Sequence, residues 1–317
     1  MTIGQLYDLD RFKAFTDSAS ATGFKDSASG VVLARNLTAV NPKVFEKRYP
    51  ELSFLNSGVV ADNTGGYSRR IQSLRIVEQG DFADASDLST GKGRISLTAE
   101  DSFLKVFPKE AHSVWTDDDI KEAELGNINL VQRYIATHNK AYNQKVDEIG
   151  YVGHNGQAGL LNYAGFTSTN SSDVVGNLTA QEMYDEIATL ITEQRNAVNN
   201  TPEYSCNRVA MPTSVMNKLQ VTMLNTANGS STVLKALQDN FPDIQFVTTF
   251  RASDVGGASK VVAYSNNEEA MVMRIPVKLT IGEIIKQTSF SFRVDSKFRI
   301  GGLDVLEDTS ARILSGL

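Results

Sequence analysis

The apolar residues Ile128, Val131, Ile135, Ala141, Tyr142, Val146, Ile149 and Val152 follow one another mostly at spacings of three or four. That period places them on one face of a helix. The pattern predicts a single amphipathic helix over 127–152, ~40 Å long at the α-helical rise. A start signal lies upstream in Trp115-Thr116-Asp117-Asp118-Asp119-Ile120. Thr116 is an N-cap residue with Asp119 three positions on, a capping-box spacing. The three aspartates set negative charge at the positive end of a helix. A glycine-studded run, Gly150-Tyr151-Val152-Gly153-His154-Asn155-Gly156-Gln157-Ala158-Gly159-Leu160-Leu161-Asn162, stops it.

Upstream the helical spacing is absent. Ile71, Leu74, Ile76 and Val77 stand among Arg69, Arg70 and Arg75, and predict a strand over 66–77. Residues 79–93 are polar and turn-rich. Ile95, Leu97 and Ala99 then alternate with Ser96 and Thr98, and a further run follows at 103–107. Two strands with a long polar connection form an extended hairpin. An isolated hairpin is marginal in water, so this one is expected to lie against another surface. Residues 1–60 show little periodicity apart from a short helical turn at 43–48, between Pro42 and Pro50. The small polar residues of 18–30 are expected to be held by the body of the subunit or by a neighbour.

Residues 157–274 alternate helix and strand, as in a compact α/β unit. Thr179 caps a helix with Glu182 as its box partner, and Met183, Ile187, Leu190, Ile191 and Val198 form its stripe. Strands are expected at 208–211, 244–247 and 261–264, and helices at 213–224 and 232–241. From Ile275 the chain is β-rich. Phe290, Phe292 and Val294 alternate with Ser291, Arg293 and Asp295, and Gly301-Gly302-Leu303 leads into a last strand near Val305.

The 317 residues are 41% hydrophobic, which suffices for one large or two ordinary domains. The net charge of −6 argues against a protein whose main task is gripping nucleic acid. The single cysteine, Cys206, allows no intramolecular disulfide, fits a reducing compartment, and reads as a buried thiol. No run approaches the ~18 apolar residues of a membrane span. The N-terminus, with Asp8, Asp10 and Asp17, lacks a signal-peptide pattern, and a start at Met1 implies that no leader is removed.

The chain carries no HExxH, CxxC, Walker A or GxSxG motif. Asp117, Asp118 and Asp119 read as a cap, because consecutive acids on a helix point to different faces. His138 lies on the apolar stripe and reads as a core or boundary histidine. The turn Gly153-His154-Asn155-Gly156 follows a helix, so it lacks the N-terminus that binds an anion. No catalytic, cofactor or metal site is therefore assigned. The hairpin's charge layout points elsewhere. Arg69, Arg70 and Arg75 are followed by Asp81, Asp84 and Asp87, then by Lys92 and Arg94. These are candidate inter-subunit contacts. Each exposed pair is worth only ~0–1 kcal/mol, but a shell repeats it in every subunit.

Arm, hairpin, capped start at Trp115-Thr116-Asp117, long helix, glycine-rich turn with Gly159-Leu160-Leu161-Asn162, α/β insertion and returning strands through Gly301-Gly302 come in a telling order. In that order and spacing the chain resembles the major capsid proteins of tailed bacteriophages with the Hong Kong 97 fold, in particular a branch first catalogued as a domain of unknown function. The resemblance implies an α+β fold with an N-terminal arm (1–61) and an extended hairpin loop (62–115). It implies a peripheral domain (116–156) whose spine helix is 127–152, an axial α/β domain (157–274), and returning strands of the peripheral domain (275–317). It implies pentamers and hexamers in an icosahedral virion shell, with the extended loop over a neighbouring subunit. Weak, non-specific contact with packaged double-stranded DNA goes with that, as do portal and scaffolding proteins, decoration proteins in some heads, and assembly in a host bacterial cytoplasm. No cofactor and no membrane are implied. The founding member joins subunits through a Lys–Asn isopeptide bond. Lys92 lies near the hairpin tip, but no matching asparagine or catalytic acid is found, so that chemistry is not expected. The founding member also sheds an N-terminal scaffolding segment, and Met1 points instead to a separate scaffolding protein. Two other readings stay open on the residues alone. One is an encapsulin-like nanocompartment shell, and the other is a hydrolase with a dispersed carboxylate site converging on His138 or His154. A mostly β tail-tube subunit sits poorly with the long helix.

Overall fold

Alternating apolar residues open the described part of the chain as strands, and a capped helix follows them. The computed structural model describes residue 54 and residues 58–81, 95–126, 128–226, 229–253, 255–256 and 258–317, all within the compact unit Tyr49–Leu317. Most of the arm and most of the hairpin tip lie outside the described residues. Strands β1 (Val60–Asp62), β2 (Arg70–Gly80) and β3 (Ile95–Lys105) come first. The β2–β3 pair is antiparallel in unbroken register, from Arg70 opposite Lys105 to Gly80 opposite Ile95. After β4 (Phe107–Thr116), Thr116 accepts from the Asp119 amide at 3.2 Å, and Asp119 accepts in return from the Thr116 amide at 2.8 Å. That completes the expected capping box and starts α1 (Asp117–Leu125).

The long helix is shorter than its stripe suggests. Gly126 ends α1, the Ile128 amide closes back on the Ala123 carbonyl at 2.9 Å, and α2 runs only over Leu130–Tyr151. Asn129 caps it by accepting from the Gln132 amide at 3.1 Å. Its 22 residues span ~33 Å. Ile128 therefore belongs to the joint and not to the spine. The glycine-rich stop is itself a small hairpin, β5 (Gly153–His154) with β6 (Gln157–Ala158). Asn155 and Gly156 take φ of 52° and 81°, the left-handed pair that an Asn-Gly turn supplies cheaply.

The α/β unit follows the expected alternation. Strand β7 (Thr167–Asn170) precedes α3 (Ala180–Ala197), which is capped by Thr179 and Glu182. Then come β8 (Arg208–Met211), α4 (Thr213–Val221), β9 (Met223–Thr226), β10 (Gly229–Thr232), α5 (Val233–Asn240), β11 (Gln245–Thr248) and β12 (Lys260–Tyr264). The helix expected over 213–224 ends at Val221, and its tail becomes the first strand of the β9–β10 hairpin.

The remaining strands are β13 (Met271–Arg274), β14 (Val277–Ile281), β15 (Ile285–Lys286), β16 (Ser291–Ile300), β17 (Gly302–Val305) and β18 (Ala311–Ser315). Not all of them return together, as 275–317 was expected to do. Strand β16 pairs with β4, β14 and β15. Strand β17 joins β13 and β1. Strand β18 instead enters the five-stranded sheet, ordered β11-β8-β12-β18-β7. Most residues of β8, β12 and β18 are apolar and point alternately to the two faces, so both faces of that sheet are covered. Val209, Met211, Val261, Ala263 and Leu314 face a core built with α3, α4 and α5. Ala210, Val262, Tyr264 and Ile313 face a second core with Val146, Ile149, Leu160 and Leu161. The end of α2 is thus fixed against the sheet.

Candidate inter-subunit surface

Residues directly opposite in an antiparallel pair share a face. The β2–β3 register therefore sorts the hairpin into two sides. Ile71, Ser73 and Arg75, with Leu104, lie on one. Leu74 and Ile76, with Ile95, Leu97 and Phe103, lie on the other.

The first side is tied to the subunit's own body. Ile71 is buried. The Ser73 hydroxyl donates to Asp304 Oδ2 at 2.6 Å, and Arg274 Nε donates to the same oxygen at 3.0 Å. Arg274 also pairs with Asp62. Burial pushes the Asp62 carboxyl up, but hydrogen bonds from Thr64 and Arg274 outweigh it and hold the group below the usual carboxylate range. Further out, Arg75 Nη2 reaches Glu307 at 2.5 Å and Nη1 reaches the Leu306 carbonyl at 3.3 Å. At the root, Arg299 donates to the Tyr67 carbonyl at 2.5 Å, and Gln157 Nε2 to the Lys105 carbonyl at 2.9 Å.

The second side is bare. Leu74 is 61% exposed, Ile76 60%, Ile95 67%, Leu97 70% and Phe103 61%. A row of exposed apolar residues along ~27 Å of ribbon, from Ile95 to Phe103, is what an interaction surface looks like, and scattered single exposed residues are not. Alternation at Ile95, Leu97 and Ala99 carried part of this signal in the sequence, but Ile71, Leu74, Ile76 and Val77 fall on both parities, so the outward face did not follow from the pattern alone.

Of the charged candidates, Arg69 and Arg70 are exposed at the hairpin root and Asp81 at its outer end. Arg75 is engaged inside the subunit by Glu307, a partner that sequence reasoning missed, as it missed Asp304 and Arg274. Asp84, Asp87, Lys92 and Arg94 lie outside the described residues.

His138 is bonded to hydroxyls, His154 meets a cation, and His112 lines a cleft with Glu110 and Asp295. His138 is buried, and its two ring nitrogens meet Ser113 Oγ at 2.9 Å and Ser296 Oγ at 2.8 Å, which locks α2 onto β4 and β16. Tyr142 on Phe298 and Trp115 on Tyr134 reinforce that seam, with ring centroids 4.9 and 5.0 Å apart. His154 contacts Lys109. Burial, then Lys109 and Lys145, hold its pKa below the ordinary histidine value. Burial raises the Cys206 thiol, the reverse of a reactive cysteine. Among the described residues no group of three or more His, Cys, Asp or Glu could hold a metal ion, and no helix is long and apolar enough to cross a membrane.

The same fold is found in solved phage capsids. The capsid protein of Myoviridae phage XM1 is 39% identical, with a TM-score of 0.82 over 90% of this chain and 98% of that one. The capsid of the native GTA particle is 9% identical with a TM-score of 0.69, covering 92% and 98%. Mycobacterium phage Che8 is 16% identical with a TM-score of 0.60, covering 87% and 96%. The latter two bear on the fold alone. The molecule is thus an α+β shell subunit of the phage-capsid class. The family model described as Major capsid protein matches residues 85–316. The chain belongs to the major capsid protein family, a structural component of the phage head. No curated protein sequence matches it.

Proposed function

We propose that the subunit forms pentamers and hexamers of an icosahedral head around packaged double-stranded DNA, in a Hong Kong 97-type arrangement. In this reading 62–115 is the extended loop and 116–156 the start of a peripheral domain. Residues 157–274 are then the axial domain, and 275–317 return to the periphery except for β18. The carrying observation is the two-sided hairpin. One side is pinned to its own body, and the other leaves Leu74, Ile76, Ile95, Leu97 and Phe103 exposed. A sister copy is the surface that covers them, with Arg69, Arg70, Asp81, Asp84, Asp87, Lys92 and Arg94 setting register at the rim. Arg75 contributes indirectly, by holding the hairpin at its angle. Many modest contacts then add by avidity. The net charge of −6 suits a wall that holds DNA only weakly. Scaffolding and portal proteins, and decoration proteins in some heads, are the further partners this reading implies.

Deleting 79–93 tests it. The shortened subunit is expected to fold and to remain as unassembled protein in electron micrographs, where the full chain gives closed polyhedra. Normal shells from the deletion would reject the role given to the hairpin. Shells of the full chain that hold protein cargo and no DNA would favour a nanocompartment.

A further inference from the structure

We infer that Lys109, Lys145 and His154 form a binding site for an oxyanion, a phosphate or a carboxylate. The three side chains come from β4, the second half of α2 and the β5–β6 hairpin. The glycine-rich stop turns the chain back at the end of α2, and that return carries His154 to Lys109. All three residues are half-buried. Lys109 Nζ meets His154 Nε2 directly, and an ammonium can only donate, so the neutral ring accepts. Phe107 stands edge-on to the same ring, with centroids 6.2 Å apart. The protein carries more acidic than basic residues, 37 against 31. Yet among the described residues no carboxylate bonds to Lys109 or His154.

The acid that acts on this cluster is Glu148, and Lys145 already holds it at 2.8 Å. The chain supplies no other nearby. Glu110 lines the cleft on the opposite face of β4, and 149–172 contains no acidic residue. With Glu148 balancing one lysine, the site keeps one surplus positive charge, and a second once the ring takes a proton. Burial and then Lys145 hold the Lys109 ammonium below the usual lysine range, and Glu148 offsets only part of this. An anion between the ammonium and the ring replaces one N–H···N contact by two charge-assisted bonds, each roughly twice as strong as a neutral one. The space for it is at hand. His154 forms one wall of an open depression of about 340 Å³, whose lining at Gly153, Asn155, Gly156, Gln157 and Asn162 is uncharged. The cleft on the other face of β4 differs, because Glu110 and Asp295 balance Arg293 and Lys297 around His112.

Diethyl pyrocarbonate tests the site, because it acylates unprotonated imidazole and peptide mass spectrometry reads each histidine separately. The full-length unassembled subunit is treated at one pH and one ionic strength, in chloride or in inorganic phosphate. Phosphate is expected to slow modification of His154 severalfold, by covering the ring and by favouring its protonated form. His112, beside cations that already have acids, is expected to react equally in both. Lys109→Met, or Lys145→Met where the first variant does not fold, is expected to abolish the protection. Equal rates at His154 in the two salts, equal protection of His112, or protection that survives both lysine changes would each overturn the inference. Shells assembled without phosphate separate the two sources of the anion. If His154 is protected there and released by Lys109→Met, the anion is a neighbouring subunit's carboxylate. If it stays reactive until phosphate is added, the anion is a free ion.

Discussion

The Ser73 hydroxyl donates to the Asp304 carboxylate at 2.6 Å across 231 positions of sequence. This bond ties the hairpin to β17, and Asp304 is 5% exposed and also holds Arg274. Asp304→Ala leaves Arg274 with Asp62 as its remaining acid in a part-buried site. It is expected to cost about 3 kcal/mol, within the range for breaking a buried ion pair. Ser73→Ala removes one neutral donor and costs about 1 kcal/mol. Denaturant unfolding of the unassembled subunit reads both. Amide exchange adds a further check: Ser73→Ala is expected to speed exchange in 70–80 and to leave the α/β core unchanged.

His138 bridges two serines on different strands, and each hydroxyl can donate to or accept from the ring nitrogen it meets. Ser296→Ala removes the partner of Nδ1 in a buried site and is expected to cost ~1–3 kcal/mol. His138→Ala removes both bonds and opens a cavity, for ~2–4 kcal/mol. The double variant is expected to cost clearly less than the sum, because the second change removes a group already orphaned. Strict additivity in unfolding free energies would refute the bridge.

How much of this was legible in the sequence depended on range. Local chemistry showed plainly. Thr116 with Asp119, Thr179 with Glu182, and the stripe from Met183 to Ile191 appear where spacing placed them. The break between α1 and α2 did not show, because Ile128 keeps the helical spacing while its amide bonds back to Ala123. Strand β7 was hidden for the opposite reason. Thr167-Ser168-Thr169-Asn170 has no apolar alternation and is a strand only because β18 lies beside it. The body side of the hairpin was equally opaque. Nothing near Arg75 in sequence points to Glu307, so a residue suited to an interface turned out to serve its own subunit.

Gly150 sits where α2 meets the core. A Cβ there would lie 2.5 Å from the Phe54 ring, which is fully buried and packs edge-on against Tyr151. Alanine favours the helix by up to ~1 kcal/mol, but forced overpacking costs ~1–3 kcal/mol. Gly150→Ala is therefore expected to destabilise on balance. In a Phe54→Leu background the same change should cost less, or stabilise. A penalty unaltered by Phe54→Leu would show that the ring is not the obstacle.

His154 gives the subunit an acid-sensitive point. Burial, then Lys109 and Lys145, hold its folded pKa below the unfolded value, so folding favours the neutral ring. This contribution is complete above the unfolded pKa of about 6.5 and is lost as pH falls from there through the folded pKa. The unfolding midpoint of the unassembled subunit is expected to drop between about pH 7.5 and pH 5.5. His154→Gln, which keeps a polar side chain but cannot take up the proton, should flatten that drop. An equal drop in the variant would assign the sensitivity to another group.

The bare side of the hairpin makes the sharpest separation between folding and assembly. Leu74 and Leu97 are 61% and 70% exposed, so they contribute little to the stability of the lone subunit. Leu74→Gln with Leu97→Gln is expected to move its unfolding free energy by no more than about 0.5 kcal/mol per site. In a shell, each leucine covered by a neighbour is worth ~1.5–3 kcal/mol, and both are lost in every copy. Light scattering during assembly is expected to show a raised critical concentration or no shells at all, while the variant remains a folded monomer or small oligomer. Assembly at the wild-type concentration would mean that this stripe stays in solvent in the finished head. An unfolded variant would mean that the stripe is covered within its own subunit. Either result removes the ground for the inter-subunit role.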